Sequence, residues 1–361
     1  MHSITIEGIR YLREEFLNEA PPLFATLSPF HRQLALFLKE WYASSPLLTL
    51  HTSGSTGMPK EIAVRKEQML QSAAITCEHL RLKAGETALL CLPLEYIAGK
   101  MMVVRALYGD LNLLVADPSG HPLAGISRQI HFAAMVPLQV YNSLKREEEK
   151  ERLMKVDRLI IGGGAIDLQL QETLKDFPNA IYSTYGMTET VSHIALRRIS
   201  GKEADDNYTP LPGVQVKLSA EGTLVIDAPR VSDEPVITND IAEIGAEGTF
   251  RILGRRDNVV NSGGIKIQIE AVEKALHPHI SGPFAVTSVP HPSLGEALVL
   301  LITPASDHVH VRQVCVHQLP RLQQPQLIIV VESIPLTGSG KIDRAAVKKT
   351  ASERIPMPGI W

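Results

Sequence analysis

The sequence predicts an α/β protein: a large N-terminal α/β domain with layered sheets and helices plus a β subunit, followed by a small α+β C-terminal domain. Three observations carry this. From about residue 29 to 200, apolar runs such as "TALLCLP" and "RLIIGGG" alternate with helix-like segments, as in a buried sheet between helical layers. Past residue 200, "VQVKLSAEGTLVIDAPRV" alternates apolar and polar residues around a Glu-Gly turn, the pattern of an antiparallel unit. From "RILGRRD" onward a charged turn, a Ser-Gly-Gly hairpin and a helix begin a separate pattern. The boundary is expected near Gly254–Asp257, giving domains of residues 1–253 and 254–361.

The elements follow in order. "SPFHRQLALFLKEWYA" reads as a helix with Ser28 as N-cap and Pro29 as its first residue. "PLLTLH" is a strand, then a glycine loop, then a short strand "EIAV". Helix "KEQMLQSAAITCEHL", strand "TALLCLP", helix "GKMMVVRALYG" and strand "NLLVAD" come next. "HFAAMVP", "PLQVYNSLKREEEKERL", "RLIIGGG", "LQLQETLKDF" and "AIYSTYG" continue the alternation. The charged "KREEEKER" segment is expected to be a solvated face.

Composition excludes several classes. A net charge of -3 leaves no basic surplus for nucleic-acid phosphates. No apolar run approaches the roughly 20 residues of a membrane helix, and the N-terminus lacks a signal-peptide core. A cytoplasmic protein without membrane insertion is the expectation. Cys77, Cys91 and Cys315 lack metal-ligand spacing and suit buried free thiols.

The loop "HTSGSTGMPKE" holds two glycines, hydroxyl side chains and a lysine between strands. Its backbone and hydroxyls can turn donors toward phosphate oxygens. It is not a Walker loop, because Pro59 separates Gly57 from Lys60 and a strand follows. "PLTGSGKIDR" fails too, with Pro335 at the first glycine position and Ile342 at the Mg²⁺-binding hydroxyl. No G-x-G-x-x-G occurs, so kinase and dinucleotide readings lose support.

With "YGMTETVSHIALR" (185–197), "TNDIAEI" (238–244), "GRRDNVVNSGGIKIQIEAVE" (254–273) and "PLTGSGKIDR" (335–344), the first loop forms five motifs in one order. In this, the chain from about residue 46 to 347 resembles the adenylate-forming superfamily of acyl-CoA synthetases, adenylation domains and luciferases. The resemblance implies ATP, Mg²⁺ and, as co-substrate, coenzyme A. A small-molecule carboxylic acid is adenylated with release of pyrophosphate, and a thiol then displaces AMP. The C-terminal domain is expected to be mobile, pivoting between the two steps.

The resemblance also implies roles. Thr52, Ser53, Gly54, Ser55, Thr56, Gly57 and Lys60 would clamp the β- and γ-phosphates. Gly163 and Gly164, after Gly162, would present bare backbone to the nucleotide or acyl group. Tyr185 and Gly186 would face adenine, Thr188 the α-phosphate, and Glu189 would ligate Mg²⁺. Asp240 would accept from the ribose hydroxyls and Arg255 reach ribose or phosphate, with Asp257 as hinge. Lys341 would bridge carboxylate and α-phosphate. After rotation, Ser262, Gly263 and Gly264 would help admit the pantetheine arm.

Two features depart from the family pattern. The first loop starts at residue 52, so an N-terminal subdomain is expected to be missing, leaving the β portion smaller or completed by a second copy in a homodimer. Tyr96 in "PLEYIAGK" replaces a histidine that gates the acyl pocket, which makes it a candidate pocket wall. Within the superfamily, "MTETVSHIALR", "VPLQVYNSL", "IIGGGAID" and the compact length resemble o-succinylbenzoate–CoA ligases of menaquinone biosynthesis. Such a dicarboxylate needs a cation or donor for its second carboxylate, with Lys100, His193 and Arg197 as candidates. Lys100 and Arg197 are expected at the surface. Alternatives are another aryl- or acyl-acid–CoA ligase, a stand-alone adenylation protein, or a catalytically silent nucleotide-binding protein.

Overall fold

The computed structural model describes residues 2–18, 21, 24, 28–51, 61–337 and 342–354. Its first strands, β1 (Ser3–Ile6) and β2 (Ile9–Leu12), form a hairpin that leads into the short helix α1 (Arg13–Leu17). Helix α2 (Pro29–Tyr42) follows, then the antiparallel pair β3 (Leu47–His51) and β4 (Glu61–Arg65). Ser28 is the N-cap of α2, as expected, but its hydroxyl bonds Asp117 and His31 rather than the helix backbone.

An alternation then builds the main sheet. It runs α3 (Lys66–His79), β5 (Thr87–Leu90), α4 (Ile97–Gly109), β6 (Asn112–Val115) and β7 (Phe132–Met135). It continues with α5 (Pro137–Leu144), α6 (Glu147–Met154), β8 (Arg158–Ile161), α7 (Leu168–Lys175) and β9 (Ala180–Gly186). With β10 (His193–Arg198) and β11 (Thr209–Pro210), the sheet order is β11-β10-β9-β8-β7-β5-β6-β1-β2. The strands from β9 to β1 are parallel, and antiparallel pairs finish both edges.

Alternate residues serve opposite faces, as strand geometry requires. Leu90, Phe132 and Ile160 belong to one core cluster with α2, α3 and α4. Leu89, Ala133, Met135 and Ile161 belong to another with α5, α6 and α7. Burial on both faces explains the continuous apolar strands.

The expected helix over "PLQVYNSLKREEEKERL" is two helices, broken at Lys145–Arg146. The solvated-face expectation also fails at Glu149, which is buried and accepts from Ser143 at 3.1 Å while meeting His121 at 2.9 Å. Turning this carboxylate inward accompanies the break: Arg146 leaves helical geometry at φ -117°, ψ 117°.

Strands β12 (Gln215–Leu218), β13 (Thr223–Asp227), β14 (Val236–Ile244) and β15 (Phe250–Arg255) form the expected antiparallel unit. Beyond it lie β16 (Val259–Ser262), β17 (Ile265–Gln268), α8 (Ile269–Leu276), β18 (Phe284–His291), β19 (Gly295–Ile302), α9 (His308–Gln318), β20 (Leu327–Val330) and α10 (Arg344–Arg354). The β16–β17 turn places Gly263 and Gly264 at φ 57° and 83°, the left-handed pair that a tight hairpin demands. Val286, Leu298 and Leu300 pack with α8 and α9, whereas Ala285, Val299 and Leu301 pack with α10. All three cysteines are buried free thiols. Among the described residues, no helix is long and apolar enough to cross a membrane.

Candidate active site

The main sheet presents a sharp turn where β9 passes into β10. Thr188, Glu189 and Thr190 make one 3-10 turn, closed by Thr190 Oγ1, which accepts from Met187 N at 3.1 Å and donates to Ser192 O at 2.8 Å. Gly186 makes the return possible, since a Cβ there would lie 2.3 Å from Ser192 O. Val191 takes φ 64°, ψ -49°, an unfavourable conformation for a β-branched residue. The turn leaves Glu189 exposed, with no ion pair to a described residue. Its hard carboxylate oxygens suit Mg²⁺, and the preceding residue of the turn, Thr188, carries a hydroxyl.

From the same strand, Tyr185 donates its phenol to Asp240 Oδ2 on β14 at 2.6 Å. Burial and the neighbouring Asp240 raise its pKa, so the proton stays on the phenol. Its ring packs against Tyr208 and Phe250, with centroids 5.7 and 5.2 Å away. Arg255, at the end of β15, reaches Asp240 at 3.3 Å and grips Asp257 with two bonds of 2.9 and 2.8 Å. Tyr185, Asp240, Arg255 and Asp257 thus form one connected line. Gly162, in the Gly162–Gly164 turn after β8, lies against Thr184 of β9, beside this line.

Other expected residues sit elsewhere. Ser262, Gly263 and Gly264 lie on the β16–β17 turn, where Gly263 N donates to Leu294 O. Lys100 is not a surface residue: it is 8% exposed, bonds Thr49 O at 3.3 Å and lies over the Phe37 ring. It borders a cleft of about 720 Å³ with Phe30, Glu40, Glu95 and Asp117. Tyr96 is half-buried as the N-cap of α4 and is not among the residues lining that cleft. Arg197 is also buried rather than solvated, since its guanidinium bonds Gln171 at 2.9 Å and covers the Tyr208 ring. The phosphate-loop residues Thr52, Ser53, Gly54, Ser55, Thr56, Gly57 and Lys60, and Lys341, lie outside the described residues.

Sequence reasoning missed Arg105. It sits on α4 inside "MMVVRALYG", 2% exposed, and among the described residues no carboxylate pairs with it. Its Nη2 donates to Ser192 Oγ at 2.9 Å and lies 3.5 Å from His193 Nδ1. Among the described residues Nη1 has only the Met102 sulfur at 3.8 Å, and the buried Nε has no partner. Burial pulls its pKa down to about 10, so it stays charged at neutral pH. A buried, unneutralised cation is costly without an anion. Ser192 and His193 place it within three residues of the Glu189 turn. The signal was an arginine within the apolar run "MMVVRAL".

Comparison with known proteins agrees with this geometry. The family model described as AMP-binding enzyme matches residues 12–231, and that of the AMP-binding enzyme C-terminal domain matches 272–341. The 2-succinylbenzoate–CoA ligase of Escherichia coli is 28% identical over 346 residues, covering 90% of this chain and 74% of its own. A crystal structure of an acyl-CoA synthetase (AMP-forming)/AMP-acid ligase II-like protein from Dyadobacter fermentans is 35% identical. It covers 90% of this chain and 97% of its own at a TM-score of 0.61. An Escherichia coli MenE variant with bound OSB-AMS is 25% identical, covers 86% and 70%, and reaches a TM-score of 0.70. The chain belongs to the AMP-binding enzyme family.

Proposed function

We propose that this protein is an ATP-dependent, AMP-forming acid–CoA ligase whose acid is o-succinylbenzoate, a step of menaquinone biosynthesis. Family membership supports the chemistry. The observation that carries the substrate is Arg105, a buried cation beside the Glu189 turn with no acidic partner among the described residues. A dicarboxylate offers one carboxylate for activation and a second to pair with such a cation. This supports Arg105 as the partner of the second carboxylate over Lys100 and Arg197, which are engaged elsewhere.

The family resemblance, with the contacts among Tyr185, Asp240 and Arg255, supports a division of labour. Asp240, held by Tyr185 and Arg255, is an acceptor for vicinal ribose hydroxyls, and Arg255 stands beside it for ribose or phosphate. Thr188 would donate toward the α-phosphate, and Glu189 would hold Mg²⁺. Bound Mg²⁺ would neutralise phosphate charge and so ease approach of an anionic acid. Lys341 completes the charge at the reacting carboxylate. Residues 1–253 act as the nucleotide- and acid-binding domain, and residues 254–361 pivot about Asp257. CoA then takes the acyl group with Ser262, Gly263 and Gly264 lining its approach.

The test compares Arg105→Leu with wild type on o-succinylbenzoate and on benzoate, following AMP release. Loss of about 10²-fold in kcat/KM confined to the dicarboxylate supports the assignment, the size expected for one desolvated charge-assisted pair. Equal loss on both acids overturns Arg105 as the specificity residue. A preference for other aryl or aliphatic acids would keep the ligase chemistry and replace the substrate.

A further inference from the structure

Around Arg105 every described hydrogen bond points one way. Thr76 Oγ1 on α3 donates to Ser72 O at 3.0 Å. A hydroxyl has one proton, so at 3.1 Å from His193 Nε2 this oxygen is an acceptor. An Nε2–H tautomer of His193 fits this arrangement and would leave a lone pair on Nδ1. That lone pair faces Ser192 Oγ at 3.4 Å and Arg105 Nη2 at 3.5 Å. Ser192 Oγ itself accepts from Arg105 at 2.9 Å. In that tautomer the chain would run Arg105 to Ser192, Ser192 to His193, His193 to Thr76, and Thr76 to a backbone carbonyl.

Such a chain has a consequence for charge. Acidic residues, the usual partners of a buried arginine, would neutralise it. Among the described residues the guanidinium is anchored by neutral acceptors alone. It is fixed in place while its positive charge and its Nε donor stay uncommitted. A protonated His193 would turn Nδ1 into a donor aimed at a cation. Burial and the charges of Arg105 and His79, the titratable groups that face the ring, hold it neutral.

We propose that Thr76 and His193 are positioning residues. Thr76 selects the Nε2–H tautomer of His193, so that Ser192 and His193 orient Arg105 as an uncompensated cation for the second carboxylate of the substrate. This rests on the assignment of Arg105 as the anchor for that carboxylate. Thr76 touches neither ATP nor the acid; it acts through two other side chains. Its position in the last turn of α3, outside every motif, gives it no sequence signature.

The experiment has two readouts. In ¹⁵N-histidine-labelled protein, long-range ¹H–¹⁵N correlation identifies His193 among the 13 histidines by its loss in His193→Gln. The expected signal is a neutral Nε2–H ring that does not titrate between about pH 5 and 8. An Nδ1–H tautomer, or titration in that range, overturns the inference whatever the substrate proves to be. The second readout is kinetic. Thr76→Val, nearly isosteric, is expected to raise KM for o-succinylbenzoate about 10-fold with KM for ATP unchanged. Thr76→Ser, which keeps the hydroxyl, restores the wild-type value. If both variants match wild type, or both lose equally, Thr76 has no tautomer role. If wild type does not use o-succinylbenzoate, the substrate assignment fails while the tautomer measurement still decides the relay.

Discussion

The phenol of Tyr185 donates to Asp240 at 2.6 Å, tying the end of the main sheet to the antiparallel unit that follows it. Arg255 meets the other oxygen of Asp240 and also holds Asp257. One carboxylate is thus fixed from two sides. Tyr185→Phe removes one donor and leaves the ring packing with Tyr208 and Phe250. Its KM for ATP is expected to rise about 3- to 10-fold, as for the loss of one charge-assisted bond. Asp240→Ala should cost more, because it removes the ribose acceptor and frees Arg255. Steady-state kinetics varying ATP alone checks both.

Gly186 is the steric gate of the Thr188–Thr190 turn. Gly186→Ala puts a methyl 2.3 Å from Ser192 O, a backbone atom that cannot swing aside. The expected result is a loss of about 2–4 kcal/mol in stability, with AMP release falling further as Glu189 is displaced. Thermal melting and activity measured together test it.

Glu86 and Arg158 pair at 2.8 Å near the starts of β5 and β8. Burial alone would raise the Glu86 pKa, but bonds from Lys83 N and Arg158, with the charge of Arg158, lower it below its ordinary 4.5. A carboxylate depressed in the folded state stabilises fully above its unfolded pKa and loses that contribution as pH falls through the folded value. Wild type should therefore lose stability as pH drops below about 4.5, and Glu86→Gln should show a shallower acid slope. Urea midpoints across that range measure the difference.

The described residues that flank Lys341 are tied to one another and to α8. Leu336 bridges Ile342, Asp343 N donates to Pro335 O at 3.0 Å, and Arg344 grips Glu273 on α8 with two bonds of 2.6 Å. Lys341→Ala is expected to lose at least about 10²-fold in adenylation, while thioester formation from supplied acyl-AMP survives. Glu273→Gln, which loosens Arg344, should lower adenylation by a smaller factor. Separate assays of the two half-reactions distinguish these outcomes from a general loss.

Much of the fold could be read because periodicity reports burial directly. The apolar runs at 87–92, 132–136 and 158–161 became central parallel strands. The β1–β2 hairpin was missed, although "SITIEGIRYL" carries alternation around a Glu-Gly turn. The break between α5 and α6 was hidden because a long-range partner, His121, draws Glu149 inward. Within the site, motifs revealed Tyr185, Glu189, Asp240 and Arg255. Arg105 and Thr76 belong to no motif. Their meaning comes from tertiary contacts to Ser192 and His193, 87 and 117 residues away.

The central claim is that one protein joins o-succinylbenzoate to CoA through an acyl-adenylate. Its most direct test is mass spectrometry of products from ATP, Mg²⁺, CoA and o-succinylbenzoate, beside benzoate and medium-chain fatty acids. AMP together with o-succinylbenzoyl-CoA, and little thioester from the other acids, is the predicted result. ADP in place of AMP, or no thioester with any acid, would contradict it.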